Sequence, residues 1–272
     1  MSIHTTGAAV DAAHAQGRKA LIGYLTAGFP SPAQSVEAAK VLVEHGADVV
    51  ELGLPYSDPG MDGPIIQRTG QLALDRGARV DDVLRGVEQV AATGAAVVIM
   101  TYWNPVLRRG VDTFARQLAE AGGAGLITPD LPPEEAGQWI AASDAHGLDR
   151  IFLVAPSTRR ERLASISAAS RGFVYAASRM GVTGLQDAVD SHAAGLVERT
   201  RAAGAQRVCV GIGVSTGQQA AEVAGYADGV IVGSALLKTL IDEDQPFARR
   251  LDGLGALVDD LAAGVRAHAA TP

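Results

Sequence analysis

The sequence predicts an α/β protein with a single (β/α)8 TIM-barrel domain over residues 1–272, with additional helices and with long loops after strands 2 and 6. Eight short runs of β-branched and other apolar residues recur along the chain. Their starts lie about 30 residues apart, which is the length of a strand–helix–strand unit. Most runs are continuously apolar, as parallel strands are when both faces are buried. Because a doubly wound open sheet usually ends at about five or six strands, eight units favour the closed barrel.

In chain order, the predicted strands cover 20–26, 48–54, 96–102, 124–128, 149–154, 172–176, 207–211 and 229–232. Between them, apolar residues recur three or four positions apart, which predicts amphipathic helices. Examples of this spacing are Val36, Ala39 and Val43, then Phe114, Leu118 and Ala121, then Leu163, Ile166 and Ala169. A short helix over 7–16 and a last helix over about 257–267 are expected to pack on the outside of the barrel.

Two connections are longer than the barrel repeat requires. Residues 55–64, after strand 2, are too rich in Pro, Gly and Asp to form a helix. Residues 178–190, after strand 6, form a second loop that contains glycine. Both loops leave the C-terminal ends of strands, where barrel enzymes place their active sites. We therefore expect two mobile lids over one pocket.

Charge and composition exclude several classes of protein. With 23 basic and 30 acidic residues, the chain has a net charge of −7 and lacks the basic surface of a nucleic-acid-binding protein. The single cysteine, Cys209, cannot form an internal disulfide, which fits a reducing cytoplasm. The longest apolar stretches are far shorter than the roughly 18 residues of a membrane span. The sequence therefore predicts a soluble, cytoplasmic protein.

Glu51 is the first candidate catalytic residue. It stands alone as a charged residue between Val50 and Leu52, near the C-terminal end of a predicted central strand. Burying an unpaired charge costs several kcal/mol, so Glu51 either forms an ion pair inside the barrel or works at its mouth. At the mouth, loss of hydration would raise the pKa of its carboxyl group, as a general acid or base near neutral pH requires.

Asp62 is the second candidate, eleven residues further on, in the loop expected to fold over the same mouth. An aspartate before a glycine commonly forms a turn, and composition alone favours that interpretation. Two carboxyl groups in different environments, however, are the usual way to divide acid and base roles. Both interpretations of Asp62 remain open at this point.

The ends of strands 7 and 8 carry glycines that predict a phosphate site. Gly213 follows the seventh strand, and Gly233 and Ser234 follow the eighth. Backbone amides at these two positions bind phosphate in many barrels. Gly184, in the loop after strand 6, could close the third side. Tyr175 alternates with the core residue Phe173, and its hydroxyl group needs a polar partner in the barrel.

The positions of the lysines and histidines narrow the chemistry further. None of the three lysines, Lys19, Lys40 and Lys238, lies at the C-terminal end of a predicted strand, so Schiff-base and pyridoxal mechanisms in this chain are disfavoured. The six histidines have no metal-ligand spacing, and no metal is expected. The residues thus predict a phosphate-binding barrel enzyme that uses carboxyl groups for acid–base chemistry.

The run from Glu51 to Pro59, ELGLPYSDP, and the run from Asp62 to Gln67, DGPIIQ, closely resemble the signature of the tryptophan synthase alpha subunit family. Further matching segments follow in order over nearly the whole chain: YWNP at 102–105, DLP at 130–132, Tyr175, SRMGVTG at 178–184, GIG at 211–213 and ADGVIVGS at 227–234. The family commonly has Leu-Ala where this chain has Gly60-Met61, a difference that leaves both carboxyl groups in place.

The resemblance implies a TIM barrel that cleaves indole-3-glycerol phosphate to indole and glyceraldehyde 3-phosphate by a retro-aldol reaction. In that role Glu51 protonates the indole ring at C3 and takes the proton of the side-chain hydroxyl. Asp62 binds the indole N–H, and Thr183 binds Asp62 when the lid closes. Tyr175 supports the site near Glu51.

The resemblance also implies binding roles. The implied phosphate ligands are Gly184, Gly213, Gly233 and Ser234, and the implied indole slot consists of Tyr24, Met100, Ile127, Leu153 and Ile212. The implied partner is a β subunit that contains pyridoxal phosphate, in an αββα complex that receives indole through a tunnel. Pro55, Asp58 and Asn104 are expected at or near that interface, and no cofactor is expected in this chain.

Two alternatives remain open at this stage. The first is a different lyase or isomerase on the same phosphate-binding barrel, which turnover of a substrate without an indole ring would favour. The second is a catalytically silent regulatory subunit, which partner binding without cleavage would favour.

Overall fold

The structure is a computed structural model that describes residues 5–177, 186–211 and 213–267. Its parallel strands are β1 (Ala20–Thr26), β2 (Val49–Gly53), β3 (Ala96–Met100), β4 (Gly125–Ile127), β5 (Asp149–Ile151), β6 (Leu153–Val154), β7 (Val174–Ala177), β8 (Val208–Gly211) and β9 (Gly229–Val232). Hydrogen bonds join them in the order β5-β4-β3-β2-β1-β9-β8-β7-β6. Because β5 runs on into β6, this order closes on itself. The predicted eight-fold barrel is confirmed.

The helices are α1 (Thr6–Ala15), α2 (Pro32–Glu44), α3 (Pro64–Asp75), α4 (Val80–Ala91), α5 (Trp103–Arg109), α6 (Val111–Glu120), α7 (Gly137–Ala145), α8 (Arg160–Ala169), α9 (Gln186–Ala202), α10 (Gly217–Ala224), α11 (Ser234–Leu240) and α12 (Phe247–Arg266). A short 3-10 turn covers Pro133–Glu135. Among the described helices, none combines the length and apolar character that crossing a membrane requires.

The fifth barrel strand departs from the prediction of one continuous strand over 149–154. It divides at Phe152 into β5, which pairs with β4, and β6, which pairs with β7. The carbonyl group of Phe152 still accepts the N–H of Tyr175 at 3.0 Å. Each half therefore bonds to one neighbour, and the break falls where the strand changes partner.

Alternate strand residues build two apolar layers, as the pleat of a strand requires. One layer fills the inside of the barrel and includes Ile22, Val49, Val98, Ile127, Ile151, Phe173 and Ile231. The other lies between the strands and the surrounding helices and includes Leu21, Val50, Val97, Leu126, Phe152 and Val210. Glu51 comes two residues after Val49 and therefore points to the same side of β2, into the barrel rather than toward the helices.

The N-terminal end of the barrel is closed by α1. The backbone N–H and the hydroxyl of Thr6 both donate to the carboxylate of Asp149, at 2.8 and 2.7 Å, and both residues are buried. This contact seals the end of the barrel opposite the long loops. Polar groups at this end therefore serve the fold, as is usual in barrels.

The last helix is longer than the expected 257–267, because α12 begins at Phe247. Its first turns are held by Arg250, which is buried, lies over the Phe247 ring and donates to the carbonyl of Leu240 at 2.8 Å. Gly253 and Gly255 have low helix propensity, so the sequence alone does not predict a helix in this part of the chain. Tertiary contacts with the preceding segment compensate for that weakness.

Candidate active site

A cavity of about 190 Å³ opens at the C-terminal ends of the barrel strands. Both candidate carboxyl groups line it, together with residues from strands and loops around the barrel. The lining residues are Tyr24, Glu51, Met61, Asp62, Gly63, Ile66, Met100, Pro129, Leu153, Tyr175, Ala177, Gly211, Gly213, Ile231, Gly233 and Ser234. A larger hollow of about 330 Å³ lies beside the starts of β7 and β8, at the opposite end of the barrel from these carboxyl groups.

Glu51 lies deep in the cavity wall and is only 1% exposed. In the sheet it is opposite Tyr24 on one side and Val98 on the other. Its Oε2 atom has no hydrogen-bond partner among the described residues. Burial raises the pKa of the carboxyl group to about 8, and the negative charge of Asp62 adds to the effect. Glu51 is therefore mostly protonated at neutral pH and can act as an acid.

Asp62 is half-buried in the lining of the same cavity, where the loop after β2 meets α3. Burial raises the pKa of its carboxyl group, and a hydrogen bond with the Tyr102 side chain lowers it in part. The carbonyl group of Asp62 accepts the side-chain amide of Gln67 at 2.8 Å, which ties the loop to α3. The turn interpretation alone does not explain this position, because Asp62 lines the same cavity as Glu51 and its charge contributes to the raised pKa of Glu51.

Two tyrosines complete the wall around Glu51, and each occupies space left by a glycine. A β-carbon at Gly53 would collide with the ring of Tyr24, and one at Gly211 would collide with the ring of Tyr175. Burial, more than the nearby carboxyl groups, raises the pKa of both phenols. Both hydroxyls therefore keep their protons and serve as neutral hydrogen-bonding groups beside Glu51.

Part of the predicted phosphate site borders the same cavity. Gly213, Gly233 and Ser234 all line it, at the ends of β8 and β9. Thr183, Gly184 and Ile212 lie outside the described residues, as does all of 178–185. The loop expected over 178–190 is shorter than predicted, because residues from Gln186 onward belong to α9. Within the described part of the chain, no group of three or more His, Cys, Asp or Glu side chains is arranged to hold a metal ion.

The predicted indole slot is only partly assembled by the structure. Tyr24, Met100 and Leu153 line the cavity. Ile127 is fully buried inside the barrel, paired in the sheet with Met100, and is not among the residues that line the cavity. Its β4 strand ends there, and Pro129 lines the cavity instead.

Comparison with known proteins identifies the family. The family model described as tryptophan synthase alpha chain matches residues 10–266. The chain belongs to this family. It is 59% identical to the tryptophan synthase alpha chain of Mycobacterium marinum over 260 residues, which cover 96% of this chain and 94% of that relative. It is 56% identical to the alpha chain of Bifidobacterium longum over 255 residues, which cover 92% of this chain and 88% of that relative.

Solved structures agree. A chain in the crystal structure of tryptophan synthase from M. tuberculosis, in its aminoacrylate-bound form, has a TM-score of 0.87 and 54% identity, with 96% of this chain and 99% of that chain covered. The tryptophan synthase subunit alpha of Legionella pneumophila has a TM-score of 0.86 and 35% identity, with 96% and 97% covered. The predicted family is confirmed, and with it the lyase activity of a tryptophan synthase alpha subunit in tryptophan biosynthesis.

On the rim of this alpha subunit, the three residues expected near a partner lie above the cavity and do not line it. Asp58 and Asn104 are exposed, and Pro55 is half-buried. The hydroxyl of Ser57 donates to Asp58 at 2.6 Å, so the Asp58 carboxylate is held locally on the loop.

The structure adds site residues that the sequence prediction missed. Met61, Pro129 and Ile231 line the cavity, and Tyr102 contacts the loop that carries Asp62. Tyr102 follows β3 at the C-terminal face of the barrel, where function concentrates. This position could have indicated a site residue. An aromatic residue after an apolar strand, however, more often belongs to the hydrophobic core.

Proposed function

We propose that Glu51 and Asp62 divide the acid–base work in the retro-aldol cleavage of indole-3-glycerol phosphate to indole and glyceraldehyde 3-phosphate. The observation that carries this proposal is the environment of Glu51. A buried carboxyl group whose pKa is raised to about 8 shares one cavity with a second, less buried carboxyl group. Groups with pKa values near the working pH are the effective general acids and bases.

The reaction follows from this difference. Protonated Glu51 donates its proton to C3 of the indole ring, which leaves positive charge on the ring nitrogen. The Asp62 carboxylate binds the ring N–H and stabilises that charge. The Glu51 carboxylate then takes the proton of the hydroxyl on the carbon attached to C3. As this carbonyl forms, the carbon–carbon bond breaks, its electrons restore the indole ring, and Glu51 is protonated again.

The phosphate would bind at the ends of β8 and β9, on Gly213, Gly233 and Ser234, with Gly184 closing the site. Tyr24, Met100 and Leu153 would hold the ring, and Tyr175 would support Glu51. Thr183 would bind Asp62 when the loop after β7 closes over the substrate. These assignments rest on the family motifs and on the shared cavity lining.

We further propose that this chain is cytoplasmic, that it works with a pyridoxal-phosphate-containing β subunit in an αββα complex, and that it passes indole to that subunit through a tunnel. A relative of the same fold is a chain in the aminoacrylate-bound form of tryptophan synthase from M. tuberculosis. The rim residues Pro55, Asp58 and Asn104 are available to such a partner. No lysine of the described chain lines the cavity, so pyridoxal phosphate is assigned to the partner and no cofactor to this chain.

Indole formation from indole-3-glycerol phosphate by the wild-type chain and by Glu51→Gln tests the proposal. Glutamine keeps the shape of the side chain but cannot transfer the proton, so kcat should fall at least about 100-fold. Glu37→Gln, on the exposed face of α2, is the matched control and should leave kcat unchanged. Near-normal cleavage by a folded Glu51→Gln chain would remove Glu51 from the mechanism.

A further inference from the structure

Tyr102 is firmly attached to the barrel. It directly precedes α5, is 6% exposed, and its carbonyl group accepts the hydroxyl of Thr101 at 3.1 Å. The next residue, Trp103, donates its backbone N–H to both carboxylate oxygens of Asp130, at 2.9 and 3.1 Å. The backbone on either side of Tyr102 is therefore fixed, and its ring has a defined position at the mouth of the barrel.

The loop after β2 is attached to Tyr102 at two points. The backbone N–H of Met61 donates to the Tyr102 hydroxyl at 2.9 Å. The ring of Tyr56, near the start of the same loop, stacks on the Tyr102 ring with centroids 5.0 Å apart and an interplanar angle of 28°. The loop itself is exposed, since Met61 is 53% exposed and Asp58 and Gly60 are also exposed. Tyr102 thus supplies a rigid support to an otherwise exposed segment.

The same hydroxyl group also reaches Asp62. The Tyr102 oxygen accepts the Met61 N–H, so its own hydrogen remains available to the Asp62 carboxylate, and the interaction of the two side chains lowers the pKa of Asp62 against the effect of burial. One hydroxyl group therefore contacts the backbone before Asp62 and favours the charged form of its side chain.

We propose that Tyr102 is the positioning residue of this site, because its hydroxyl fixes the Met61 backbone and the Asp62 carboxylate where that carboxylate can meet the ring N–H of the substrate. This inference rests on the proposed role of Asp62. Tyr102 does not touch the reacting atoms. It acts through Asp62, whose placement matters because a misplacement of about 1 Å in an active site can cost about 100-fold in rate.

Tyr102→Phe tests the proposal, because it removes one oxygen and keeps the ring that stacks on Tyr56. We expect kcat/KM for indole-3-glycerol phosphate to fall about 10- to 100-fold. Asp62 must be ionised to bind the ring N–H, so activity is lost as the pH falls through its pKa. Without the hydroxyl this pKa rises, and the acid limb of the kcat/KM profile should move to higher pH. The alkaline limb, set by Glu51, should stay in place.

Two further measurements separate positioning from a merely structural role. Tyr56→Phe is the matched control, because it removes a hydroxyl that accepts the Asn104 amide at 3.4 Å, its one hydrogen bond within the described part of the chain, and keeps the same stacked pair. It should leave the acid limb unchanged. Titration of the Asp62 carboxyl group by ¹³C NMR, in the wild-type chain and in Tyr102→Phe, reports its pKa without turnover, and thermal melting reports the fold.

The outcomes are distinct. A raised Asp62 pKa together with a shifted acid limb supports the proposal. Unchanged kcat/KM, or a loss of kcat/KM with an unchanged Asp62 pKa and a lower melting temperature, overturns it. If the wild-type chain cleaves the substrate, Glu51→Gln does not, and Tyr102→Phe behaves as wild type, then only the role of Tyr102 fails. If the wild-type chain forms no indole, the proposed function fails, and the role of Tyr102 fails with it.

Discussion

The carboxyl group of Glu51 is held in its neutral form by its surroundings, because burial removes water that would stabilise the charge and Asp62 adds negative charge nearby. The unfolded chain has no such constraint, and there Glu51 ionises near its ordinary pKa of 4.5. Between that value and about 8, the unfolded state binds fewer protons than the folded state. The stabilisation that protonated Glu51 contributes is thus fully present below pH 4.5 and is lost as the pH rises through about 8.

This difference predicts that Glu51→Gln is more stable than the wild-type chain at alkaline pH. Glutamine has no charge to lose in either state, so the gain in free energy of unfolding should be on the order of 4 kcal/mol at pH 8, since each pKa unit corresponds to about 1.4 kcal/mol. Below pH 4.5 the gain should vanish. Urea unfolding of both chains at several pH values measures it. A stability difference that does not vary with pH would contradict the assigned pKa.

For single residues of the site, the sequence predicts some and misses others for a physical reason. Glu51 is detectable because a lone charge in an apolar strand conflicts with burial. Tyr102 is not, because its role depends on the Met61 N–H, which reaches it only after the loop folds over the barrel. Ile127 stays a prediction for the indole slot: strand alternation points it into the barrel beside Met100, but it is fully buried and does not line the cavity.

Among the structural elements, the strand–helix repeat was predictable because each parallel strand is buried on both faces and leaves a continuous apolar run. Division of the fifth strand at Phe152 was not, because the break reflects pairing with β4 on one side and β7 on the other. The start of α12 was missed for a similar reason. Its first turns depend on the contacts of Arg250 with Phe247 and with Leu240.

The prediction of a phosphate site can be tested at the junction between β9 and α11. Ser234 is the first residue of α11 and lines the cavity. A hydrogen bond to a charged group contributes about 1.5–3 kcal/mol, so Ser234→Ala should raise KM for indole-3-glycerol phosphate at least about 10-fold. The effect on kcat should be small, because the phosphate is held equally in the ground state and the transition state. Steady-state kinetics of indole formation measures both constants.

Two comparisons show whether this change in KM comes from the phosphate. Ser215→Ala is the matched control, since the Ser215 hydroxyl donates to Gln219 at 3.0 Å and does not line the cavity. With indole glycerol, which has no phosphate, Ser234→Ala and the wild-type chain should give the same KM. An equal rise in KM for both substrates would place the phosphate elsewhere.

For the whole molecule, the two ends of the barrel have separate tasks. The end closed by α1 holds the buried contact between Thr6 and Asp149, and the other end holds the cavity and its loops. A partner at the cavity end can therefore change activity through the loop after β2 without altering the barrel. On the proposed function, such a partner would favour the closed loop and so raise the competent fraction of molecules without adding a catalytic group.

This arrangement predicts that Asp58→Ala reduces stimulation by a β subunit but leaves the basal activity of the isolated chain within a few-fold of wild type. Asp58 is exposed and held by Ser57, so its loss removes no group from the cavity. It precedes Met61 and Asp62 on the same loop, so a contact at Asp58 can bias where that loop rests. Indole production by each chain, alone and at saturating β subunit, measures the ratio.

Asp75→Ala is the matched control for this ratio, because Asp75 is an exposed aspartate at the far end of α3 that accepts the Gln71 amide at 2.7 Å. It should retain both basal activity and stimulation. The contrary result for Asp58→Ala is a collapse of basal cleavage with full stimulation. In that case Asp58 acts on the substrate through the loop, and communication with the partner must run through another part of the rim, of which Asn104 and its contact with Tyr56 are the nearest candidates.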